Sequence, residues 1–376
     1  MREAVERAGH DDWGDRAFTE PLSLLVESCA ATGRLNATGW RVLRSVLLRH
    51  LRNRLCVQAH LARRPGAAET PLGSPIVITG LPRTGTSLLH NLLAQDPRHR
   101  FLRLWEALHP VPPEDGHGPG EAALVAQAEA WLERFYAMAP GFRTVHPLTP
   151  RGPEECDALL RNAFASQHLD DMFDAEAYSR WFYGARLDRE YAYYALQLRV
   201  LTRDREADKT WVLKSPGHAG HLDSLLRALP GARVLHCHRD PAEAVSSYAS
   251  LIGTVRRPNS DELSLERVGE QALQRCAATL TRALRARAAA VEDRFFDVSF
   301  PALAADPIHT AARVYEWLGV ALDRTAETSM RRWLAAHPRD LHGIHRYDPQ
   351  AFGVPADRVR AACAAYLDRF APLMTA

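Results

Sequence analysis

The apolar positions divide the chain into a helical opening, a middle of short strands alternating with helices, and a helical close. Leu22, Leu24, Leu25 and Val26, then Trp40, Val42, Leu43, Val46, Leu47 and Leu51, recur at helical spacing and predict two helices within 20–64. Arg64–Ser74 is a loop by its Pro, Gly and small residues. The β-branched run Pro75-Ile-Val-Ile-Thr79 is a buried strand, followed by a turn at Gly80–Thr84 and a helix over Gly85–Gln95. Residues 110–120 carry too much Pro and Gly for regular structure, and 121–138 and 153–205 are mostly helical in pattern. Trp211–Leu213 and Arg233–Cys237 are further short strands with a helix, His221–Leu229, between them. A long helix over 262–292, a strand at Phe295–Phe300 and helices at 307–319 and 355–370 complete the reading. Strands separated by helices predict an α/β fold: a parallel sheet flanked by helices, with N-terminal helices over 1–70 and a largely helical insertion over 110–205, all within one domain.

Composition narrows the partners. The chain has 376 residues and a formal net charge of +2, so no global field favours nucleic acid, and an anionic ligand must be held by local charge. No stretch approaches the roughly 18 apolar residues of a membrane span. The opening MREAVERAGHDDWGDR lacks the apolar core of a signal peptide, and the six cysteines show neither CxxC pairs nor metal-ligand spacing. These features predict reduced thiols in a cytoplasmic protein. The N-terminal amphipathic helices suit either packing or a homodimer. Of 47 basic residues only Lys209 and Lys214 are lysine. Where arginine is the default cation, a lysine marks a place that wants a compact point charge rather than a planar fork.

Candidate chemistry begins at Gly80-Leu-Pro-Arg-Thr-Gly-Thr-Ser87. Strand, glycine turn and helix meet there with P-loop spacing, a layout that aims backbone N–H groups and a helix N-terminus at a phosphate. The position of the Walker lysine is Thr86, and the loop's long cation is Arg83, so ATP hydrolysis is not expected. A second anion site is predicted at His238-Arg239-Asp240-Pro241, where a strand ends and a helix carrying Ser247 begins. Two phosphate sites on one sheet suit a nucleotide with phosphates at two separate positions. 3′-Phosphoadenosine 5′-phosphosulfate (PAPS) fits that description.

With these motifs in hand, the chain resembles the PAPS-dependent sulfotransferases, in a bacterial form that is also similar to the tyrosylprotein sulfotransferases in carrying PRTGT. GLPRTGTS (80–87) looks like the family's 5′-phosphosulfate loop and VLHCHRDPAEAVSSY (234–248) like its 3′-phosphate motif. DVSFPALAADP (297–307) is similar to a further family element, and HGIHRYDPQAFGV (342–354) to bacterial members. The resemblance implies that Arg83, Thr84, Gly85, Thr86 and Ser87 hold the 5′-phosphosulfate and that Arg239 and Ser247 hold the 3′-phosphate. It implies that Lys214 lies near the bridging oxygen of the leaving group and that Glu106, in Leu104-Trp-Glu106, is the general base.

The expected reaction moves a sulfuryl group from PAPS to a hydroxyl of a small-molecule acceptor and leaves adenosine 3′,5′-bisphosphate (PAP). Arg83 and Lys214 supply positive charge, so no metal is called for. His146, Glu155 and His218 are further candidates for the base, each with a structural alternative: a bonded histidine, or an acid offsetting a helix dipole. The aromatics of 164–194 suit an acceptor pocket or, by the stronger expectation, core packing. Two rival functions remain open at this point, a P-loop small-molecule kinase and a non-catalytic nucleotide-binding protein.

Overall fold

The computed structural model describes residues 1–113, 119–203, 206–338, 341 and 348–375. Part of the predicted 110–120 loop, and residues 342–347 of the C-terminal segment that resembles bacterial members, lie outside them. The chain forms two compact units. One comprises Met1–Leu72, Leu102–Ala207 and Ile252–Leu263, the other Gly73–Phe101, Asp208–Leu251 and Ser264–Ala376.

The second unit is built on a five-stranded, wholly parallel sheet: β1 (Ile76–Gly80), β2 (His99–Arg100), β3 (Thr210–Lys214), β4 (Arg233–His238) and β5 (Phe295–Ser299), in the order β2-β3-β1-β4-β5. β1 is central and buried along its whole length, which is why it reads as an unbroken β-branched run rather than an alternation. Its register pairs Ile78 with Lys214 on one side and Gly80 with Cys237 on the other, so the strand ends carrying Lys214, the glycine turn and His238-Arg239 share one edge. One face of the sheet packs Ile76, Ile78, Val212, Leu235 and Val298 against Leu89, Leu92 and Leu93 of the Thr86–Leu93 helix. β2 is only two residues long, too short for periodicity to reveal, and the predicted sequence pattern omits it. The predicted 355–370 helix is interrupted at Cys363 into Ala356–Ala362 and Ala364–Phe370.

The first unit is helical. Its longest element, Ala37–Arg63, starts at Asn36, whose side chain accepts the Gly39 N–H at 2.8 Å. Leu43, Val46, Leu51, Leu55 and Val57 face inward, whereas Trp40, expected on the apolar face, is exposed. The same inward stripe carries polar residues: His50 Nδ1 lies 2.8 Å from Asn162 Oδ1, and Asn162 donates to Gln197 Oε1 at 2.7 Å. This buried chain of amides holds together three segments distant in sequence. Phe164, Phe173, Tyr178, Tyr191 and Tyr194 are fully buried, so most of the aromatic run is core. All six cysteines are free thiols, five of them buried. No helix among the described residues is long and apolar enough to cross a membrane.

Candidate active site

At the carboxyl edge of the sheet, the turn after β1 is shaped by backbone that side chains would block. Gly80 has φ 147°, and a Cβ there would lie 2.4 Å from the Cys237 carbonyl oxygen of the neighbouring strand. Gly85 has φ 86° and precedes the Thr86–Leu93 helix with no side chain capping its first N–H groups. Arg83 takes the left-handed conformation too, at φ 71°, an unusual position for a residue with a Cβ. Thr84 Oγ1 donates to the Leu81 carbonyl at 2.7 Å and closes the turn. The loop therefore curls around an open helix N-terminus, the form that receives an anion.

The two predicted anion motifs meet here. Arg83 Nε donates to Ser247 Oγ at 3.1 Å, and Arg239 Nη1 donates to the Arg83 carbonyl at 2.9 Å. Arg239 is further fixed by its ion pair with Glu243, whose Oε2 accepts from Nε at 2.9 Å and Nη2 at 2.7 Å, and by Phe300, whose ring lies 4.5 Å beneath the guanidinium. Asp240 Oδ1 accepts the Ala242 N–H at 2.8 Å and starts the Pro241–Arg256 helix, as the sequence predicts. Lys214, buried at the end of β3, extends its Nζ to Ser87 Oγ at 3.3 Å. Thus Arg83, Thr84, Gly85, Thr86, Ser87, Lys214, Arg239 and Ser247 form one continuous cationic and hydroxylic edge.

His218 stands two residues after Pro216 in the Pro216–His221 3-10 helix and is wholly buried. Behind Arg239, His238 is stacked on Phe370 at 4.3 Å, and its Nε2 lies 2.7 Å from Asp297. Asp297 accepts from Arg287 as well, at 2.5 and 3.1 Å, and these partners hold its carboxyl far below the usual range despite burial. His236, His238 and Asp297 have the proximity of metal ligands, but Arg287 already serves as the cation beside Asp297.

The remaining candidates lie in the helical unit. Glu106 is the third residue of the Leu104–Leu108 helix and forms a capping box. Its Oε2 accepts the Arg103 N–H at 2.9 Å, and its Oε1 accepts from Arg103 Nη1 at 3.1 Å. Arg103 reaches Glu206 at 3.0 Å with its other arm. Burial works against the Arg103 charge, yet the two glutamates raise its pKa. An antiparallel bridge between Arg103 and Pro153, with Glu154 N–H donating to the Leu102 carbonyl at 2.8 Å, sets the Thr149–Pro153 loop against this helix. Glu155 follows directly, and its carboxylate lies 2.8 Å from His168 Nε2. His168 Nδ1 is 3.3 Å from Asp157, which accepts the Ser166 hydroxyl and faces Arg161 Nε at 3.8 Å. Burial alone would push the His168 pKa down. Asp157 and Glu155 overcome it and raise it to about 9, so the imidazole is a cation at neutral pH. Sequence reasoning missed His168. The spacing Glu155–Asp157–His168 is a signal only once 155–168 is known to fold back on itself. His146 ends a single helical turn, Phe142–Val145, with its ring edge-on to Phe142 at 5.8 Å.

A parallel sheet with a phosphate-type loop joined to a second anion motif is a P-loop-type α/β arrangement suited to binding anionic groups. The chain belongs to the sulfotransferase family, whose model matches residues 75–324, two-thirds of the chain. It is 25% identical over 284 residues to the omega-hydroxy-beta-dihydromenaquinone-9 sulfotransferase Stf3 of Mycobacterium tuberculosis, a match covering 72% of this chain and 69% of that protein. Among solved structures it is similar to sulfotransferase STF1 from Mycobacterium tuberculosis (TM-score 0.85, 28% identity, 97% of each chain). It is likewise similar to STF9 from Mycobacterium avium (TM-score 0.87, 28% identity, 98% of this chain and 95% of that one).

Proposed function

We propose that this sulfotransferase uses PAPS as donor and sulfates a hydroxyl of a small organic acceptor, releasing PAP. The observation that carries the reading is the direct bonding of the two anion motifs, Arg83 to Ser247 and Arg239 to the Arg83 carbonyl. A donor with anionic groups at both its 5′ and 3′ positions suits two such linked motifs, whereas a nucleoside triphosphate needs one. Thr86 in the Walker-lysine position argues against a kinase, and Lys214 reaching Ser87 supplies the compact cation from a different strand. That Stf3 carries a menaquinone derivative in its name supports a small lipophilic acceptor for this chain too. The free cysteines suit a reducing compartment, which for this chain we take to be the cytoplasm.

In this reading Thr84, Gly85, Thr86 and Ser87 hold the phosphosulfate on backbone and hydroxyl groups, and Arg83 and Lys214 stabilise charge gathering on the leaving oxygen. Sulfur gains a bond to the acceptor oxygen as its bond to the phosphate oxygen breaks, and the acceptor proton passes to a carboxylate. Glu155 suits that task better than Glu106. Glu106 uses both oxygens to cap and neutralise Arg103, while His168 orients Glu155 through Oε2. His146 and His218 rank behind both, the first at the end of a single helical turn and the second wholly buried.

Calorimetric titration with PAP, and separately with ATP and Mg²⁺, tests the donor. Tight PAP binding without ATP binding is expected. ATP binding with no response to PAP would put the kinase reading first. PAP binding with no turnover of PAPS across an acceptor screen would favour a non-catalytic nucleotide-binding protein.

A further inference from the structure

The helical unit contains an arginine that its neighbours do not explain. Arg49 lies half-buried on the Ala37–Arg63 helix, and its guanidinium stands 5.4 Å from the centre of the Trp131 ring. No carboxylate among the described residues pairs with it, and it makes no hydrogen bond there. Other cations surround it instead. Arg52 is one turn further along the same helix. Arg134 is one turn beyond Trp131 on the Glu121–Met138 helix. Arg161 adjoins Asn162, the residue bonded to His50 beside Arg49. Among the described residues, Arg161 Nε is itself buried without a hydrogen bond and has only the 3.8 Å contact with Asp157. Burial, and then Arg161 and Arg134, push the Arg49 pKa down to about 10. Burial together with Arg52 and Arg49 takes His109 to about 4, so that ring adds no charge at neutral pH.

A half-buried, unpaired guanidinium among like charges destabilises the folded chain unless an anion joins it. The surface beside it has a matching apolar character. Trp131 stacks on Phe135 at 5.1 Å with planes 6° apart, and Phe135 meets Phe142 edge-on at 4.9 Å. All three rings are half-exposed, unlike the fully buried aromatics of the 164–194 run. Charge and shape together select a molecule with an acidic group for the arginines and a flat apolar body for the rings.

We propose that Arg49, with Arg161 and Arg134, binds the acidic group of an amphiphilic organic anion whose apolar body lies on Trp131 and Phe135, and that this anion is the hydroxylated acceptor. As an acceptor site this rests on the sulfotransfer reading above. As an anion site it does not. Ion contacts link the cluster to the candidate base within the same unit: Arg161 faces Asp157, which faces His168, which faces Glu155. An acceptor held by its acid at Arg49 and presenting its hydroxyl to Glu155 uses both ends of that line.

The test is calorimetric titration of the full-length protein, with and without saturating PAP, by naphthalene-1-carboxylate and by uncharged naphthalene-1-carboxamide. The carboxylate should bind at least tenfold more tightly than the amide, and Arg49→Gln should bring the ratio near one with PAP affinity unchanged. Trp131→Leu should weaken both probes alike. Equal binding of the two probes, binding of neither, or a preference that survives Arg49→Gln would each overturn the proposal. If PAP fails to bind but the carboxylate preference holds, the donor reading falls and the anion site stands. Because Arg49 stands among like charges and has only its contact with the Trp131 ring to lose, Arg49→Gln should fold and raise Tm by about 2 °C. A fall in Tm would mark Arg49 as a structural residue and also overturn the proposal.

Discussion

The two units of this protein handle charge in opposite ways. The sheet-bearing unit gathers Arg83, Lys214 and Arg239 at strand ends, where loop backbone and hydroxyls are partners of all three and Arg239 is also held by Glu243 and braced from beneath by Phe300. The helical unit buries charge in alternating chains, Glu206–Arg103–Glu106 and Glu155–His168–Asp157–Arg161, each ion neutralising the next. The first arrangement leaves a net positive edge waiting for an anion. The second is nearly balanced in itself, which suits a base that must take and return a proton without collapsing its surroundings. Arg49 is the exception within the helical unit: it stands over the Trp131 ring, and no carboxylate among the described residues pairs with it.

The largest effects should come from the positive edge. Removing a preorganised donor from developing charge costs roughly 10²–10³ in rate. Lys214→Ala and Arg83→Ala should each lower kcat by about that factor, measured as PAP release from PAPS with an acceptor found by screening. Arg83→Ala should weaken PAP binding as well, because its side chain also bonds Ser247. A variant of either residue with full kcat would remove the edge from the chemistry.

Next in size is the contrast between the two glutamates. Glu155→Gln should lower kcat by about 10²-fold, in keeping with loss of a positioned base, and lower Tm by a few degrees as well, since it breaks the ion pair with His168. Glu106→Gln should instead act on stability, since it weakens a buried cap and leaves Arg103 less well neutralised. The reverse pattern would return the base to Glu106.

Arg239→Ala should raise the Kd for PAP by about tenfold to a hundredfold, the worth of charge-assisted hydrogen bonds, while leaving kcat at saturating PAPS much less affected. An unchanged Kd would separate the second motif from the ligand.

These contrasts follow how legible each unit is in the sequence. The glycine turn could be read because it is local: Gly80, Gly85 and the hydroxyls lie within eight residues, and strand, turn and helix follow in order. β1, β3 and β4 could be read because burial on both faces writes a largely apolar run, and the edge strand β5 because its Phe and Val residues favour a strand. The bond between Arg83 and Ser247 spans 164 residues and needs the β1–β4 register to exist, so only the separate halves were visible. In the helical unit the periodic apolar positions predicted the helices but not their content. His50, Asn53 and Arg54 occupy inward positions where a pattern reader expects apolar side chains, because amide, carbonyl and ring partners from distant segments satisfy them. His168 was invisible for the same reason, its meaning lying in the fold of 155–168 and not in its neighbours.

The smallest predicted effect concerns that histidine, and it separates charge from packing. His168 holds its proton to about pH 9 in the folded chain, against an ordinary value of 6.5. A pKa raised by folding contributes stability that is complete below about 6.5 and is lost as pH rises through about 9. His168→Gln removes that contribution and leaves the side chain's volume nearly unchanged. At pH 6 the variant should melt a few degrees below the wild type, in line with a contribution of order 1–3 kcal/mol. By pH 9.5 the two melting curves should converge, because the wild-type imidazole is then neutral and Glu155 and Asp157 lack the imidazolium in both proteins. A gap that stays constant from pH 6 to 9.5 would mean that His168 acts by shape alone, and the balanced-charge account of the helical unit would have to be given up at the place where it bears on the base.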